Sequence, residues 1–247
     1  MTRPDIAMAV SVLCSCMADP RQEHYDAALV VLGYLVSTKE LGITYGGPII
    51  TPFGLSAKPP DLDGVHGLHC YHDSSWGTQP RPMGGYVIMY CNGALDYGAK
   101  AVKIVPASSC EAETAVASVA TKAICFTREN LRAQGMRLTG PTVMIGDNKA
   151  MYEMVQQEGA SIRTRYYERA TLLIKRAVLL LLLAPYLVST QFMLADIFTK
   201  ATEKAIFIRM RNRMMNVHAG LRSELMLTLE IAHGAVCNSA RRLVGNL

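Results

Sequence analysis

Apolar positions near the start of the chain recur at the spacing of a helix. The apolar face consists of Ile6, Ala9, Val10, Leu13 and Met17. Pro4 and Asp5 suit the first turn of that helix, and a second helical pattern covers residues 23–36. The alternating string 41–47 that follows ends in glycines, which is typical of a strand. We therefore predict two helices and a short strand before residue 48, with the first helix packed through the face given above.

Three short apolar runs follow a proline-rich segment and are separated by turn residues. The runs are 68–72, 85–91 and 94–99. Their close spacing favours an antiparallel meander. After residue 106 a helical period extends to residue 132, and short apolar runs at 141–146 and 186–188 then alternate with helical patterns. A meander followed by alternating strands and helices predicts an α/β fold with a mixed sheet flanked by helices.

Composition and charge narrow the class of protein. Of the 247 residues, 50% are hydrophobic and 18% are charged, which excludes a disordered, collagen-like or coiled-coil chain. The 25 Lys and Arg against 20 Asp and Glu give a net charge of +5, which suits a polyanionic partner. Seven cysteines without a repeating pattern indicate a reducing compartment rather than the disulfide framework of a small secreted domain.

Two apolar runs raise the question of a membrane segment. The run 6–17 has the outline of a signal peptide, but Asp5 cancels the charge of Arg3 where a leader is positive. The run 177–188 is broken by Pro185 and is shorter than the about 20 residues of a membrane-spanning helix. We expect no membrane partner, and a membrane anchor built on the first run is the alternative.

Three acidic residues fall at predicted strand ends and at a helix start, where functional groups collect in a sheet of this type. Asp73 follows the run 68–72, and Asp147 follows the run 141–146. Glu113 lies on the otherwise apolar, sheet-facing side of the long helix, where an unpaired carboxylate is costly to bury. Glu111 stands in a capping-box relation to Ser108, and we assign it to the solvated face of the same helix.

Three converging carboxylates repel one another unless divalent cations separate them. Oxygen ligands favour hard cations such as Mg²⁺ or Mn²⁺, and two such ions about 4 Å apart support phosphodiester cleavage. The alternative is that these acids are ordinary turn and helix-cap residues, because Asp and Asn favour such positions for local reasons. The residues alone leave both interpretations open.

Five short strings, in order along the chain, resemble the RNase H domain in the C-terminal part of the Pol polyprotein of copia-type LTR retrotransposons. The strings are 71–76 (family YSDADW), 85–87 (SGYV), 108–113 (SSTEAE), 147–150 (DNQSA) and 194–200 (LADIFTK). Residues 4–13 and 33–47 resemble the tail of the reverse transcriptase just before RNase H. The resemblance implies an RNase H-like mixed sheet, with an antiparallel three-strand meander plus parallel strands, flanked by helices and preceded by an N-terminal helical segment.

The resemblance also implies how the chain is divided. A reverse transcriptase tail of thumb or connection type would occupy residues 1–47, and a linker would occupy 48–66. The RNase H-like domain would then cover 67–200, with a helical C-terminal extension at 201–247. The polymerase motif Tyr-x-Asp-Asp is not in the sequence, so we expect a fragment of a longer polyprotein that does not copy nucleic acid. The implied location is the cytoplasm, in the virus-like particle of a retroelement, with the nucleus as a second compartment.

Carried over residue by residue, the metal-binding acids of the family fall on Asp73, Glu113 and Asp147. A fourth acid of the family falls on Glu168, where aspartate is expected, and the ligand set implies two Mg²⁺ or Mn²⁺ ions. Three residues are candidates for contact with nucleic acid: Trp76, Arg163 and Arg165. The alternatives are core packing for the tryptophan and a solvated face for the arginines.

The function that the resemblance implies is ribonuclease H, an endonuclease that hydrolyses the RNA strand of an RNA–DNA hybrid by a two-metal-ion mechanism. Its partners would be the hybrid and the rest of a reverse transcriptase polyprotein. The alternative is a catalytically inactive remnant that keeps the fold as a module for binding nucleic acid or polymerase.

Overall fold

Five strands among the described residues form one mixed sheet at the centre of the molecule. The structure is a computed structural model that describes residues 2–56, 67–77, 81–157 and 167–217. The strands are β1 His69–Ser74, β2 Met83–Tyr90, β3 Gly93–Ala101, β4 Thr142–Gly146 and β5 Leu183–Leu187. They lie in the order β3-β2-β1-β4-β5. Strands β1 to β3 form an antiparallel meander, whereas β1, β4 and β5 are parallel. The predicted RNase H-like sheet is confirmed.

Helices cover both faces of this sheet. They are α1 Ala7–Ser15, α2 Gln22–Ser37, α3 Ser109–Ala133, α4 Lys149–Gln156, α5 Glu168–Leu179 and α6 Lys204–Met215. A 3₁₀ helix, Leu194–Phe198, precedes α6. In the part of the chain that the structure describes, no helix combines the length and the apolar character needed to span a membrane.

Side-chain alternation along the strands divides the core into two layers. Cys70, Ile88 and Met144 point to the side covered by α3, α4 and α5. Their strand neighbours Tyr71 and Val87 point to the opposite side, which is covered by α1, α6 and the 3₁₀ helix. The period of two is the ordinary geometry of a strand, and here both faces of the central strands are buried.

The N-terminal helix is confirmed, but its predicted apolar face is wrong. The buried face carries Met8, Val12 and Cys16, whereas Val10 is 40% and Met17 is 74% exposed. Helix α1 is apolar on every side, so the hydrophobic pattern alone does not single out one face. The buried face is the one that continues from Asp5, about three helical turns before Cys16, and the buried ion pair of Asp5 fixes it in place.

The strand predicted at 41–47 is also wrong. These residues run without regular structure, and their backbone bonds go to two different partners. The Thr44 N–H donates to the carbonyl of Met215 at 3.0 Å, and the Gly46 N–H donates to that of Cys91 at 2.9 Å. A strand needs one continuous partner, and this segment instead joins the end of α6 to the β2–β3 turn.

A buried polar network ties the N-terminal helices to α6. The Asp5 carboxylate accepts from Arg3 at 2.8 Å and from the Tyr34 hydroxyl at 2.7 Å. The same hydroxyl accepts from the Arg211 guanidinium at 3.3 Å, and Arg211 is fully buried. The first helices therefore share a core with the sheet and α6. The division of the chain proposed from the resemblance stays a prediction, and residues 57–66 and 218–247 lie outside the described residues.

Replacing Tyr34 with Phe removes the hydroxyl that joins Asp5 to Arg211. We expect the free energy of unfolding to fall by about 1–3 kcal/mol, because two buried polar groups each lose a partner. Urea denaturation measures this change. Tyr25→Phe, on the exposed side of the same helix, is the matched control and should change stability by less than about 0.5 kcal/mol.

The contact between the 3₁₀ helix and the sheet depends on Gly85. A Cβ atom built at Gly85 would overlap the side chain of Phe198. We therefore expect Gly85→Ala to lower the free energy of unfolding by about 1–3 kcal/mol through overpacking. Gly33→Ala, in the interior of α2 with open space around it, should instead be neutral or stabilising by about 0.5–1 kcal/mol. Equal effects of the two substitutions in urea denaturation would contradict this account of the contact.

Candidate active site

Three carboxylates converge at one edge of the sheet. Asp73 lies near the end of β1, and Asp147 directly follows the parallel strand β4, so both residues reach the same edge. Glu113 approaches them from the first turns of α3. One oxygen from each of the three groups lies within 4.8 Å of the others, with Asp73 and Glu113 buried and Asp147 partly exposed. The structure thus brings together the three acids that the sequence predicted.

Glu113 is held by the residue that follows Asp73 in β1. Its Oε1 atom accepts from the backbone N–H and from the hydroxyl of Ser74, both at 2.9 Å. Ser108 caps α3 by accepting from the Glu111 N–H at 3.2 Å, as the capping pattern predicts. The prediction that Glu111 lies on a solvated face is wrong. Its side chain is buried, because Oε2 turns back to accept from the Ala107 N–H at 2.8 Å.

Two threonine hydroxyls orient the aspartates. Thr199, at the end of the 3₁₀ helix, donates to Asp73 Oδ2, and Thr190 donates to Asp147 Oδ2 at 2.7 Å. Both threonines belong to the segment between β5 and α6. Each hydroxyl occupies one lone pair of its carboxylate oxygen and leaves the other free to face a ligand.

Asp196 is a fourth acid at this edge, and it is buried. Sequence reasoning missed it. Burial raises the pKa of Asp196, and the negative charge of Asp147 adds to that rise, whereas a hydrogen bond shared with Asp73 acts against it. Lys200 Nζ lies 2.9 Å from Asp196 Oδ1 and counteracts part of that rise. The signal was present in the string 194–200, where an aspartate interrupts an apolar run four residues before a lysine.

The electrostatics show that the cluster lacks positive charge. Burial raises the pKa of Asp73 to about 8, with further contributions from Glu113 and Asp196. Burial tends to lower the pKa of Lys200, yet Asp73 and the neighbouring carboxylates raise it above its usual value. A divalent cation among the oxygens would supply the missing charge, and a set of oxygen ligands suits Mg²⁺ or Mn²⁺. The residues present therefore fit such an ion.

The remaining predicted site residues are not brought into this cluster. Glu168 begins α5 on an exposed surface and is not among the carboxylates that lie within 4.8 Å of one another, so its role as a fourth ligand stays a prediction. Trp76 is 48% exposed and its indole N–H donates to the Pro106 carbonyl at 3.3 Å, so the core-packing alternative is wrong. Arg163 and Arg165 lie outside the described residues.

Comparison with known proteins relates the chain to transposon polyproteins. It is 28% identical over 209 residues to the retrovirus-related Pol polyprotein from transposon RE1 of Arabidopsis thaliana, which covers 83% of this chain and 13% of that protein. It is 25% identical over 169 residues to the corresponding polyprotein from transposon TNT 1-94 of Nicotiana tabacum, with coverages of 68% and 12%. The predicted resemblance to Pol polyproteins of copia-type transposons is confirmed, at modest identity over most of the chain. The chain spans only about an eighth of the length of these Pol polyproteins.

Other similarities concern shorter proteins and solved structures. The chain is 30% identical over 139 residues to secreted RxLR effector protein 161 of Plasmopara viticola, and the match covers 55% of this chain and 87% of that protein. RNase H1 of Halobacterium salinarum NRC-1 is similar with a TM-score of 0.40 and 17% identity over 53% of this chain and 93% of that chain. The N-terminal RNase H domain of a Mycobacterium tuberculosis protein is similar with a TM-score of 0.39 and 13% identity, over 63% and 98%. No model of a protein family matches the chain.

The raised pKa of Asp73 predicts how the stability of this protein depends on pH when divalent cations are absent. The folded state holds the Asp73 proton more tightly than the unfolded state, because the pKa rises from 3.8 to about 8 on folding. The free energy of unfolding should therefore fall as the pH rises from 4 to 8, by at most about 1.4 kcal/mol per pH unit.

Urea denaturation in EDTA between pH 4 and pH 8 measures this dependence. Asp73→Asn should flatten the pH profile, because the variant side chain does not titrate. Asp19→Asn is the matched control, since Asp19 is exposed and far along the chain from the cluster. Parallel profiles for the Asp73 variant and the parent would contradict the assignment of the shift to Asp73.

Proposed function

We propose that this chain is a ribonuclease H that hydrolyses the RNA strand of RNA–DNA hybrids and requires Mg²⁺ or Mn²⁺. The observation that carries the proposal is the convergence of Asp73, Glu113 and Asp147 within 4.8 Å at one sheet edge. The similarity to copia-type Pol polyproteins supports it, because these acids lie in the strings that resemble the RNase H domain. Such a cluster of acids at strand ends suits the hydrolysis of a phosphodiester.

In this proposal the carboxylates of Asp73, Glu113 and Asp147 hold two divalent cations. When bound, such cations activate a water molecule and stabilise the charge on the leaving oxygen. The protein's own residues prepare the ligands. Ser74 fixes Glu113, while Thr199 and Thr190 orient the two aspartates. Because the cluster is largely buried, few side-chain rotations have to be frozen when the cations bind.

Asp196 is the better candidate for the fourth acid than Glu168. Its carboxylate interacts electrostatically with Asp73 and Asp147 and is buried beside Asp73, whereas Glu168 lies on an exposed surface. We assign Asp196 to the rim of the cation site, where Lys200 pairs with it. The Lys200 ammonium can also face a phosphate of the substrate, since its side chain is partly exposed.

Trp76 is the described residue that we propose for contact with nucleic acid. It follows Asp73 by three residues and lies two residues past the end of β1. The residue is 48% exposed. An exposed indole beside a phosphodiester-cleaving site suits stacking on a base or sugar. Hybrid recognition would rest on the shape of the minor groove and the 2′-hydroxyls, with little preference for sequence.

The rest of the polyprotein is the second proposed partner, and the virus-like particle of the element is the proposed location. Helix α2 offers a surface for such a contact. Its outer face carries an apolar stripe at helical spacing, formed by Tyr25, Leu29, Leu32 and Val36, all of which are exposed. Contiguous exposed apolar side chains of this kind are typical of interaction surfaces.

The test of the proposed function is cleavage of an end-labelled RNA–DNA hybrid in Mg²⁺, with single-stranded RNA and duplex DNA as substrate controls. We expect cutting of the hybrid alone. Asp147→Asn should lower the rate on the order of 10²-fold or more, the scale seen when a group that stabilises developing charge is removed. Asp196→Asn should also lower it, whereas Glu168→Gln should leave it within about threefold of the parent.

Two outcomes would contradict these assignments. If Asp147→Asn cut the hybrid at the parental rate, the three-carboxylate site would be wrong. If the folded parent cut no hybrid in Mg²⁺ or Mn²⁺, the inactive remnant that binds nucleic acid or polymerase would replace the nuclease. Thermal denaturation in parallel with cleavage establishes that each variant is folded.

A further inference from the structure

His72 is a buried histidine between Glu113 and the backbone that precedes Asp147. It directly precedes Asp73 in β1, and its side chain is 1% exposed. Within the described residues, neither ring nitrogen of His72 has a hydrogen-bond partner. Buried polar atoms are nearly always paired, so an imidazole with two unpaired nitrogens points to a role beyond packing.

The carboxylate of Glu113 lies close to the imidazole ring. His72 Nδ1 lies 3.6 Å from Glu113 Oε2. That oxygen is itself buried and without a hydrogen-bond partner among the described residues, although Oε1 accepts twice from Ser74. His72 Nδ1 and Glu113 Oε2 are thus unpaired atoms that face each other. A small rotation of either side chain closes the gap between them to a hydrogen bond.

The other side of the ring is confined by the backbone that leads to Asp147. A Cβ atom built on Gly146 would lie 2.9 Å from His72 Nε2, so only glycine leaves room for the imidazole there. The ring therefore fills the space between α3 and the end of β4. Rotation of the side chain away from Glu113 is restricted by this packing.

Serine stands at the position of His72 in the family string YSDADW, and the two side chains differ in reach. A serine hydroxyl is attached directly to Cβ, whereas Nδ1 of a histidine lies one bond further out and is fixed in a planar ring. From position 72, histidine therefore reaches further toward Glu113 than serine does.

We propose that His72 is a positioning residue for Glu113, with its Nδ1–H donating to Oε2 while Ser74 donates to Oε1. Held at both oxygens, the carboxylate keeps one orientation, and the remaining lone pair of Oε2 is available to a cation, since Oε1 already accepts twice from Ser74. The proposal deepens the proposed function and rests on it for the cation. Groups that orient a metal ligand in this way contribute roughly 10–100-fold to metal affinity.

The test is Mn²⁺ binding to the full chain, followed by electron paramagnetic resonance of the free ion. His72→Leu removes the donor, and we expect it to weaken Mn²⁺ binding roughly 10–100-fold. His72→Asn has the same number and branching of side-chain heavy atoms as the leucine variant and keeps an N–H near the place of Nδ1, so it should recover most of the affinity. In hybrid cleavage, His72→Leu should lower kcat and leave the KM for the hybrid within about twofold.

His69 provides the matched control. It lies in the same strand, is buried, and its Nδ1 pairs with the Gly67 carbonyl at 2.6 Å, away from the acids. His69→Leu and His69→Asn should therefore have the same Mn²⁺ affinity as the parent. Thermal denaturation shows whether each variant is folded, and His72→Ser replaces His72→Leu if the leucine variant does not fold.

Several outcomes would overturn the proposal. Parental Mn²⁺ affinity in folded His72→Leu would do so, and so would an asparagine variant as weak as the leucine variant. A parent chain that binds no Mn²⁺ would overturn it together with the cation site. Failure of the nuclease function alone looks different, since the parent would then bind Mn²⁺ with the predicted dependence on residue 72 and cut no hybrid.

Discussion

The burial of several carboxylates side by side is the constraint to which the rest of this structure responds. Like charges in a poorly solvated place repel one another, and burial, together with the charges of Glu113 and Asp196, raises the pKa of Asp73. The surroundings of the cluster are accordingly donors. Hydroxyls of Ser74, Thr190 and Thr199 and the ammonium of Lys200 face the acids. Both the local geometry and the cation site that we propose follow from this one electrostatic condition.

Packing brings the distant parts of the cluster together. The 3₁₀ helix Leu194–Phe198 reaches the sheet only because β2 has glycine at position 85, and this contact seats Asp196 and Thr199 beside Asp73. The apolar residues of this short helix belong to the core, while its polar residues belong to the site. Stability and site geometry are therefore set by the same few contacts, so a change in the core there also alters the chemistry.

Much of the fold and part of the site could be predicted from the sequence, for identifiable reasons. The meander, the long helix α3 and the convergence of Asp73, Glu113 and Asp147 follow from periodicity and from the rule that parallel strands end at one edge. The packed face of α1 could not be predicted, because all its sides are apolar and its orientation depends on Tyr34 and Arg211 far along the chain. Asp196 could not be predicted for a related reason. A 3₁₀ helix of five residues is too short to show a hydrophobic period in the sequence.

The core shared by the two ends of the described chain has a consequence for biosynthesis. Tyr34 and Arg211 are 177 residues apart in sequence, and the helices that carry them pack on the same side of the sheet. A nascent chain that has emerged as far as β3 already contains α1 and α2, but not the helix that covers them. Their apolar faces stay exposed on the ribosome until α6 has been translated, so folding of this layer is completed late and is exposed to chaperones throughout.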